Sequence, residues 1–493
     1  MSSSPIFNLL FRAIIVIGIL MSIINLATNR SLWIDEAMLA QNIVSLSFAQ
    51  LFEPLRYYYQ MAPIGFLLVE KLFYSLIHSN ELTLRLFPFI CSMCSLFVLG
   101  KIFTLITANK TIRLFGLAFM AISYYNIYYA AEVKQYMTEL LGSLVMIYLY
   151  LIYRKKRPNY PLVILGISGT IFILFANIAV IILFVIGILL IVEGYANEKK
   201  IDKERLLVIT TWALAFSAYY ILFYFNHPSE AYMKNFWKNV DGFFPYNIFS
   251  TSFLRSCYNK FVSVISLTGQ GYKLIPLMVL GVLFLWRKSK VLSFLLLAPI
   301  LVHAAMAYLK LYPIFPRLIL YFLPVLLILT SLGFQYLLEK FIKLSNVIYS
   351  LMFLLLLYNL FAYTKWGFPI QRQEIKKVMA HLNERIDEDD EILIYHTSTP
   401  AYVFYKDQFE NLDHINAKEV FIGNHKNDWN LYLNYTKELD ENVWLLVSEA
   451  NWVLNADRKS ELDMIIDQII DKGYIEKDHV KSFGVDLYRY ELE

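Results

Sequence analysis

About eleven continuously apolar stretches recur along this 493-residue chain, and each is near the length needed to cross a hydrocarbon core about 30 Å thick. They run at 6 to 27, 84 to 107, 111 to 129, 137 to 153, 160 to 175, 177 to 193, 206 to 225, 272 to 286, 291 to 309, 316 to 337 and 345 to 364. Lipid offers no partner for backbone N–H and C=O groups, so such runs must fold as helices that satisfy themselves. Only Asn177 interrupts the stretch 160 to 193, which is too long for one ordinary helix and is expected to turn back there. The composition agrees, since 58% of residues are hydrophobic and only 17% charged, leaving the apolar surface to face lipid. The first run lacks a small-residue cleavage site and is read as an anchor that stays.

Orientation follows from the basic residues. Lys101 with Lys110 and Arg113, Arg154 to Arg157, Lys199 to Arg205, Arg287 to Lys290, and Lys340 with Lys343 all fall on one side of the eleven spans. By the positive-inside rule that side is the cytoplasm. The outer connections are then 28 to 83, 130 to 136, 226 to 271, 310 to 315 and everything after 365. The apolar segment Pro63 to Ile77 carries Glu70 and Lys71 at its centre; as a span it would hold a charge at a cost of roughly 2.5 to 3.5 kcal/mol and would move every later basic cluster outside. It is expected to lie at the outer interface as an amphipathic helix. The net charge of +4 is too small to suggest nucleic acid, and the positive residues report topology. Cys91 and Cys94 lie one helical turn apart in an apolar run and Cys257 stands alone in a polar loop, so no disulfide framework is implied.

From Trp366 onward the chain becomes charged and polar. Pattern predicts a helix at 370 to 386, strands at Glu391 to His396, Asn442 to Val447 and Val485 to Tyr490, and a helix at 457 to 472. This reads as two domains, a transmembrane domain over 1 to 365 and a small extracytoplasmic α/β domain over 366 to 493.

Chemistry is to be sought outside. The first outer loop opens Ser31-Leu32-Trp33-Ile34-Asp35-Glu36-Ala37, with two adjacent carboxylates where the chain leaves the membrane. A carboxylate there has the tunable basicity of a general base, and it equally suits the first turn of an interfacial helix. The second outer connection places Glu132, Lys134 and Tyr136 among aromatics that include Tyr129. Lys134 there either faces a phosphate or snorkels within an aromatic belt. Lys310, Pro313, Pro316 and Arg317 form a third feature, in which Arg317 stands at the depth of a lipid phosphate or anchors its helix at the interface. The loop 226 to 271, with His227, Tyr232 and Trp237, is long enough to cover a lipid-facing groove.

Four motifs in order resemble the GT-C glycosyltransferases, in particular the family 39-like branch with the protein O-mannosyltransferases and the lipid A aminoarabinose transferase. They are Trp33-Ile34-Asp35-Glu36-Ala37, Ala62-Pro63-Ile64-Gly65, Leu84-Arg85-Leu86-Phe87-Pro88, and Tyr129-Ala130-Ala131-Glu132-Val133-Lys134-Gln135-Tyr136. The resemblance covers roughly residues 1 to 340 and implies a GT-C-like bundle, here of about eleven transmembrane helices plus interfacial helices, ahead of the small α/β soluble domain read from composition. It implies an inverting transferase of the cell membrane that moves a hexosyl or pentosyl group from a polyprenyl-phosphate donor to an extracytoplasmic acceptor, whether lipid, glycan or protein. Asp35 would be the acid that activates the acceptor hydroxyl, with Glu36 orienting it and Glu132 adding a second carboxylate. Lys134 and Arg317 would hold the departing phosphate, and Tyr129, Tyr136 and Arg85 would line the groove. The sequence departs from its relatives at Gln60-Met61, where a lysine beside proline is often found. No metal site can be inferred, and because relatives differ in needing a divalent cation the resemblance leaves that cofactor open. A transporter or flippase of a lipid-linked saccharide is the competing class; it typically shows internal repeats and charges at bilayer mid-depth, and neither is found here. A structural or assembly subunit is the third.

Overall fold

The computed structural model describes the chain except residues 1–3, 78–80, 157–158, 199–201, 388, 413–416, 421–435, 437–438, 440–441, 450–459 and 493. Helices α1 to α7 span Pro5–Ala27, Ile34–Ser45, Ile64–Ile77, Glu81–Ile106, Lys110–Ala121, Tyr124–Ala130 and Tyr136–Lys156. Helices α8 to α13 span Asn159–Phe175, Ala179–Glu198, Lys203–Phe223, Glu230–Asn239, Thr251–Ser266 and Ile275–Lys288. Helices α14 to α19 span Lys290–Tyr308, Leu323–Lys340, Ser345–Trp366, Ile375–Arg385, Thr399–Tyr405 and Glu461–Asp471. Five strands, β1 to β5, occupy Glu391–Tyr395, Ala417–Val420, Val443–Ser448, Tyr474–Ser482 and Val485–Leu492. The contacts divide the chain into two compact units, one formed by Met1–Thr28 with Leu46–Pro369 and the other by Asn29–Ser45 with Ile370–Glu493.

The first unit is a polytopic helical membrane domain. Among the described residues, eight helices are long and apolar enough to cross a bilayer: α1, α4, α7, α9, α10, α14, α15 with its leading turn, and α16. The apolar window of α15 is 100% buried and that of α10 only 17%, so α15 stands at the centre while α10 turns its apolar side outward, as lipid contact requires. The centre is closed by small residues. A side chain at Gly281 of α13 would stand 1.9 Å from the Leu329 carbonyl oxygen of α15, and one at Gly333 of α15 2.1 Å from that of Leu277. This reciprocal glycine contact brings two backbones together where no hydrophobic effect drives helices to associate.

Three of the eleven expected spans have other shapes. The run 111 to 129 is broken at Ile122 and Ser123 into α5 and the short α6, and the Tyr363 hydroxyl donates to the Ile122 carbonyl, 3.0 Å away. That bond satisfies a carbonyl the broken helix leaves open. The run 272 to 286 is α13, which follows α12 after a bend of 73°, and α8 is a shorter apolar helix over Pro161–Phe175. The expected hairpin at Asn177 is present: the Asn177 N–H donates to Glu139 Oε1 at 3.1 Å, and its side-chain oxygen accepts from the Tyr224 hydroxyl.

The segment read as an interfacial helix forms α3, but Glu70 points inward rather than to water. Glu70 is fully buried, and among the described residues neither of its carboxyl oxygens has a hydrogen-bond partner. Burial pushes its pKa well above the usual carboxylate range, which favours the neutral acid.

The second unit is the α/β domain. Its sheet runs β2-β1-β3-β5-β4, with β2, β1 and β3 parallel and β3, β5 and β4 antiparallel. Leu393 and Tyr395, Leu445 and Val447, and Tyr488 and Tyr490 point to one face and pack with Ile465 and Ile469 of α19. Helix α19 begins in a capping box between Ser460 and Asp463. The predicted strands are β1, β3 and β5, and the predicted helices are α17 and α19; residues 457–459 of the last prediction lie outside the described residues. The strands β2 and β4 and the helix α18 had no counterpart in the sequence reading.

Candidate functional site

Asp35 and Glu36 stand in the first turn of α2, within the second unit. The helix starts at Ile34, so Trp33 is its N-cap position and Glu36 its third residue. Glu36 Oε2 accepts the Trp33 N–H at 3.5 Å, the returning half of a capping box, and pairs with Arg30 Nη1 at 3.0 Å. The Glu36 side chain is 0% exposed and that of Arg30 2%, so the pair is a buried strut. Asp35, beside it, is half-buried.

The loop that precedes α2 is held from the C-terminal part of the same unit. The Leu32 N–H donates to the Tyr405 hydroxyl at 2.8 Å and the Ile34 N–H to Gln373 Oε1 at 2.8 Å. Ser31 donates to Glu374 Oε2 through its N–H at 3.3 Å, and its hydroxyl oxygen accepts the Lys376 N–H at 3.2 Å. The Arg372 guanidinium lies 3.3 Å above the Trp33 ring.

The other candidates belong to the first unit. The five residues between α6 and α7 fold tightly, with the Lys134 N–H donating to the Glu132 carbonyl at 2.8 Å. Glu132 and Lys134 are both buried. Lys134 Nζ donates to Gln60 Oε1 at 2.8 Å, so Gln60, at the position where the resemblance led to the expectation of a lysine, is instead the acceptor for this one. The Tyr129 and Tyr136 rings meet edge to face at 5.3 Å. Helix α7 packs against the 3-10 helix Pro316–Phe322, and Tyr129 lies within electrostatic reach of Glu132, Tyr136 and Arg317. Arg317 lies over the rings of Trp237 and Phe315, each at 5.4 Å. Trp237 is buried against Phe315, and the Ile314 N–H donates to the Gly242 carbonyl at 2.8 Å, fastening the loop 226–250 onto the Arg317 turn. Arg85 is buried on α4, the helix that packs against α6 and α7.

A cavity of ≈ 100 Å³ adjoins Lys134 through Gln60. Phe52, Met61, Leu222 and Phe223 give it apolar walls, and Gln60 and His227 polar ones. Partial burial lowers the His227 pKa and outweighs the nearby Glu230 carboxylate, which favours a neutral imidazole at the rim. Among the described residues, no three His, Cys, Asp or Glu side chains are grouped to hold a metal ion.

The structure thus brings Glu132, Tyr129, Tyr136 and Arg317 together, with Lys134 in the same turn as Glu132, and it puts Asp35 and Glu36 on the other unit. Gln60 beside Lys134 in the first unit, and Arg30, Gln373 and Tyr405 around the start of α2 in the second, were not foreseen. The departure at Gln60-Met61 was the one sequence signal for Gln60; nothing local distinguishes the other three.

The architecture, a bundle of apolar helices followed by a small sheet domain, is the GT-C fold. The particular proteins it resembles are two solved structures of ArnT from Cupriavidus metallidurans, each 11% identical in sequence and each matched over 98% of this chain and 97% of the other. The TM-score is 0.57 for ArnT bound to undecaprenyl phosphate and 0.53 for ArnT in the apo state. At that identity the likeness establishes the fold. No family model matches the sequence, and no curated protein matches it.

Proposed function

We propose that this chain is an inverting glycosyltransferase that moves a sugar from a polyprenyl-phosphate donor to an acceptor hydroxyl on the outer face of the cell membrane. The observation that carries the reading is the grouping of buried Glu132 and Lys134 with buried tyrosines and the half-buried Arg317 in a chain of this fold. A membrane-bound donor presents its phosphate at that depth, and ArnT of the same fold has been solved with undecaprenyl phosphate. Cations held partly or wholly away from bulk water act most strongly on charge that grows as a reaction proceeds.

In this reading Asp35 takes the proton of the acceptor hydroxyl, and the acceptor oxygen attacks the anomeric carbon of the sugar. The bond from that carbon to the phosphate oxygen breaks, and polyprenyl phosphate leaves with the electron pair and one more negative charge. Lys134 and Arg317 stabilise that charge. Glu36 holds the start of α2 through Arg30, so its contribution is to orient Asp35, and Glu132 orients the cations and tyrosines around it. The cavity beside Gln60 takes part of the donor.

Purified protein in vesicles, supplied with a panel of labelled polyprenyl-phosphate sugars, tests the reading. Release of free polyprenyl phosphate with transfer of the label supports it. Transbilayer movement of the intact lipid without release would make the chain a transporter instead.

A further inference from the structure

We infer that the C-terminal α/β domain is the clamp that sets the position of the catalytic acid, with Gln373 and Tyr405 as positioning residues. The inference rests on Asp35 being the base, and it gives the soluble domain a role in the reaction that its own sequence does not reveal.

The segment Asn29–Ser45 lies between the first span and the rest of the membrane domain, yet it belongs to the compact unit built by Ile370–Glu493. Three backbone N–H groups ahead of Asp35 end on that domain: Ser31 on Glu374, Leu32 on Tyr405, and Ile34 on Gln373. The Asn29 carbonyl accepts from Lys376 Nζ at 2.9 Å, and α2 itself packs against α18. The Ile34 bond is the most telling, because Ile34 is the first residue of α2 and its N–H has no acceptor within the helix. Gln373 supplies that acceptor from a position 339 residues away. Its own amide nitrogen is buried without a hydrogen-bond partner among the described residues, so the oxygen is the half of this side chain that is used. Asp35 follows Ile34 directly, and its direction is set by the helix start that Gln373 and Tyr405 fix.

The clamp is in turn anchored to the sheet. The Glu374 N–H donates to the Phe483 carbonyl at 2.9 Å in the β4–β5 turn. Gly484 follows at φ +72°, where a Cβ would stand 2.2 Å from the Arg372 carbonyl oxygen, so only glycine lets the hairpin close on residues 372–374. A continuous line of backbone and side-chain contacts therefore runs from β4 and β5 through residues 372–374 to the helix that carries Asp35.

The test uses the full-length protein and two substitutions at one position. Gln373→Leu removes the acceptor, whereas Gln373→Glu retains an acceptor oxygen and exchanges the unpartnered amide donor for a second oxygen that burial favours in the protonated, uncharged form. Hydrogen exchange resolved by mass spectrometry over residues 29–40 reads the clamp directly. Exchange in that segment should accelerate about tenfold or more in Gln373→Leu, with β1 and β3 unchanged, and recover in Gln373→Glu. With whichever donor supports wild-type turnover, kcat should fall roughly 10- to 100-fold in Gln373→Leu at unchanged donor KM, because a displacement of about 1 Å at the reacting group costs that much. Tyr405→Phe should act the same way, and in the Asp35→Asn background neither substitution should lower kcat further. Unchanged exchange in Gln373→Leu would overturn the clamp. Faster exchange with wild-type kcat would overturn its role in the reaction. If no donor is turned over by the wild type, the functional reading fails and the inference with it, while the exchange data still report separately whether the clamp exists.

Discussion

Replacing Lys134 with methionine removes one cation and keeps the length of the side chain. Lys134 is 7% exposed and its Nζ is fixed 2.8 Å from Gln60 Oε1, so the charge is both desolvated and held in place. A cation about 4 Å from a unit charge contributes about 4 kcal/mol at an effective dielectric constant of about 20. The donor phosphodiester carries one negative charge and the leaving phosphate two, so only the second, partly developed in the transition state, separates kcat from binding. With roughly half of it developed, the loss is about 2 kcal/mol, or roughly 30-fold in kcat. Steady-state kinetics on the donor that the wild type uses should show that fall with a smaller rise in KM. The double variant with Arg317→Met should lose less than the sum of the two single changes, because both act on one group. A rise in KM at constant kcat would mean that Lys134 binds ground and transition states equally. No change in either would leave it an interfacial anchor and refute the phosphate site.

Three further outcomes follow from the same geometry. Arg30→Met strips Glu36 of its guanidinium partner inside a pair whose side chains are 2% and 0% exposed, which should destabilise the second unit by about 3 to 5 kcal/mol, measured by denaturant melts in detergent. Most of that should return in Arg30→Met with Glu36→Met, and a stable single variant would show that the pair does not brace the loop. His396 has its pKa lowered from 6.5 to about 4 by burial, and the unfolded chain therefore binds more protons between those values. The stability His396 contributes is full above about pH 6.5 and declines as pH falls toward 4, and His396→Gln should flatten that slope; an unchanged slope would remove the assignment. Cys257, half-buried on α12, should react with an impermeant thiol reagent in intact cells while the buried Cys91 does not, and labelling only after lysis would invert the orientation drawn from the basic clusters.

What the sequence discloses, and what it hides, follows from the range of each interaction. The long spans are legible because lipid demands about 20 apolar residues in a row, a purely local requirement. The break at Ile122 is not, since it goes with a partner elsewhere, Tyr363, more than two hundred residues on. Strand β4 escaped because Glu476, Lys477, Asp478 and Lys481 give an edge strand the look of a solvated loop. Among the candidate residues, the motifs around Asp35 and Glu132 are contiguous and could be seen. Glu36 could be placed but not interpreted: the same residue serves a helix cap and a buried ion pair, and only the position of Arg30 distinguishes these from chemistry. Glu70 shows the converse limit, because a carboxyl that reads in sequence as a charge is fully buried by contacts from other elements. The holds on Leu32 and Ile34 come from single side chains more than three hundred residues away and leave no local pattern.

As the base of a transfer from a polyprenyl-phosphate donor, Asp35 loses its basicity in Asp35→Asn while size and hydrogen bonding are kept. Single-turnover transfer from the labelled donor should be measured alongside donor binding in the same purified protein. The rate should fall by about 10² to 10⁴ with donor binding near the wild-type value. Transfer at the wild-type rate would contradict that role and leave Asp35 as the first-turn acid of α2 alone.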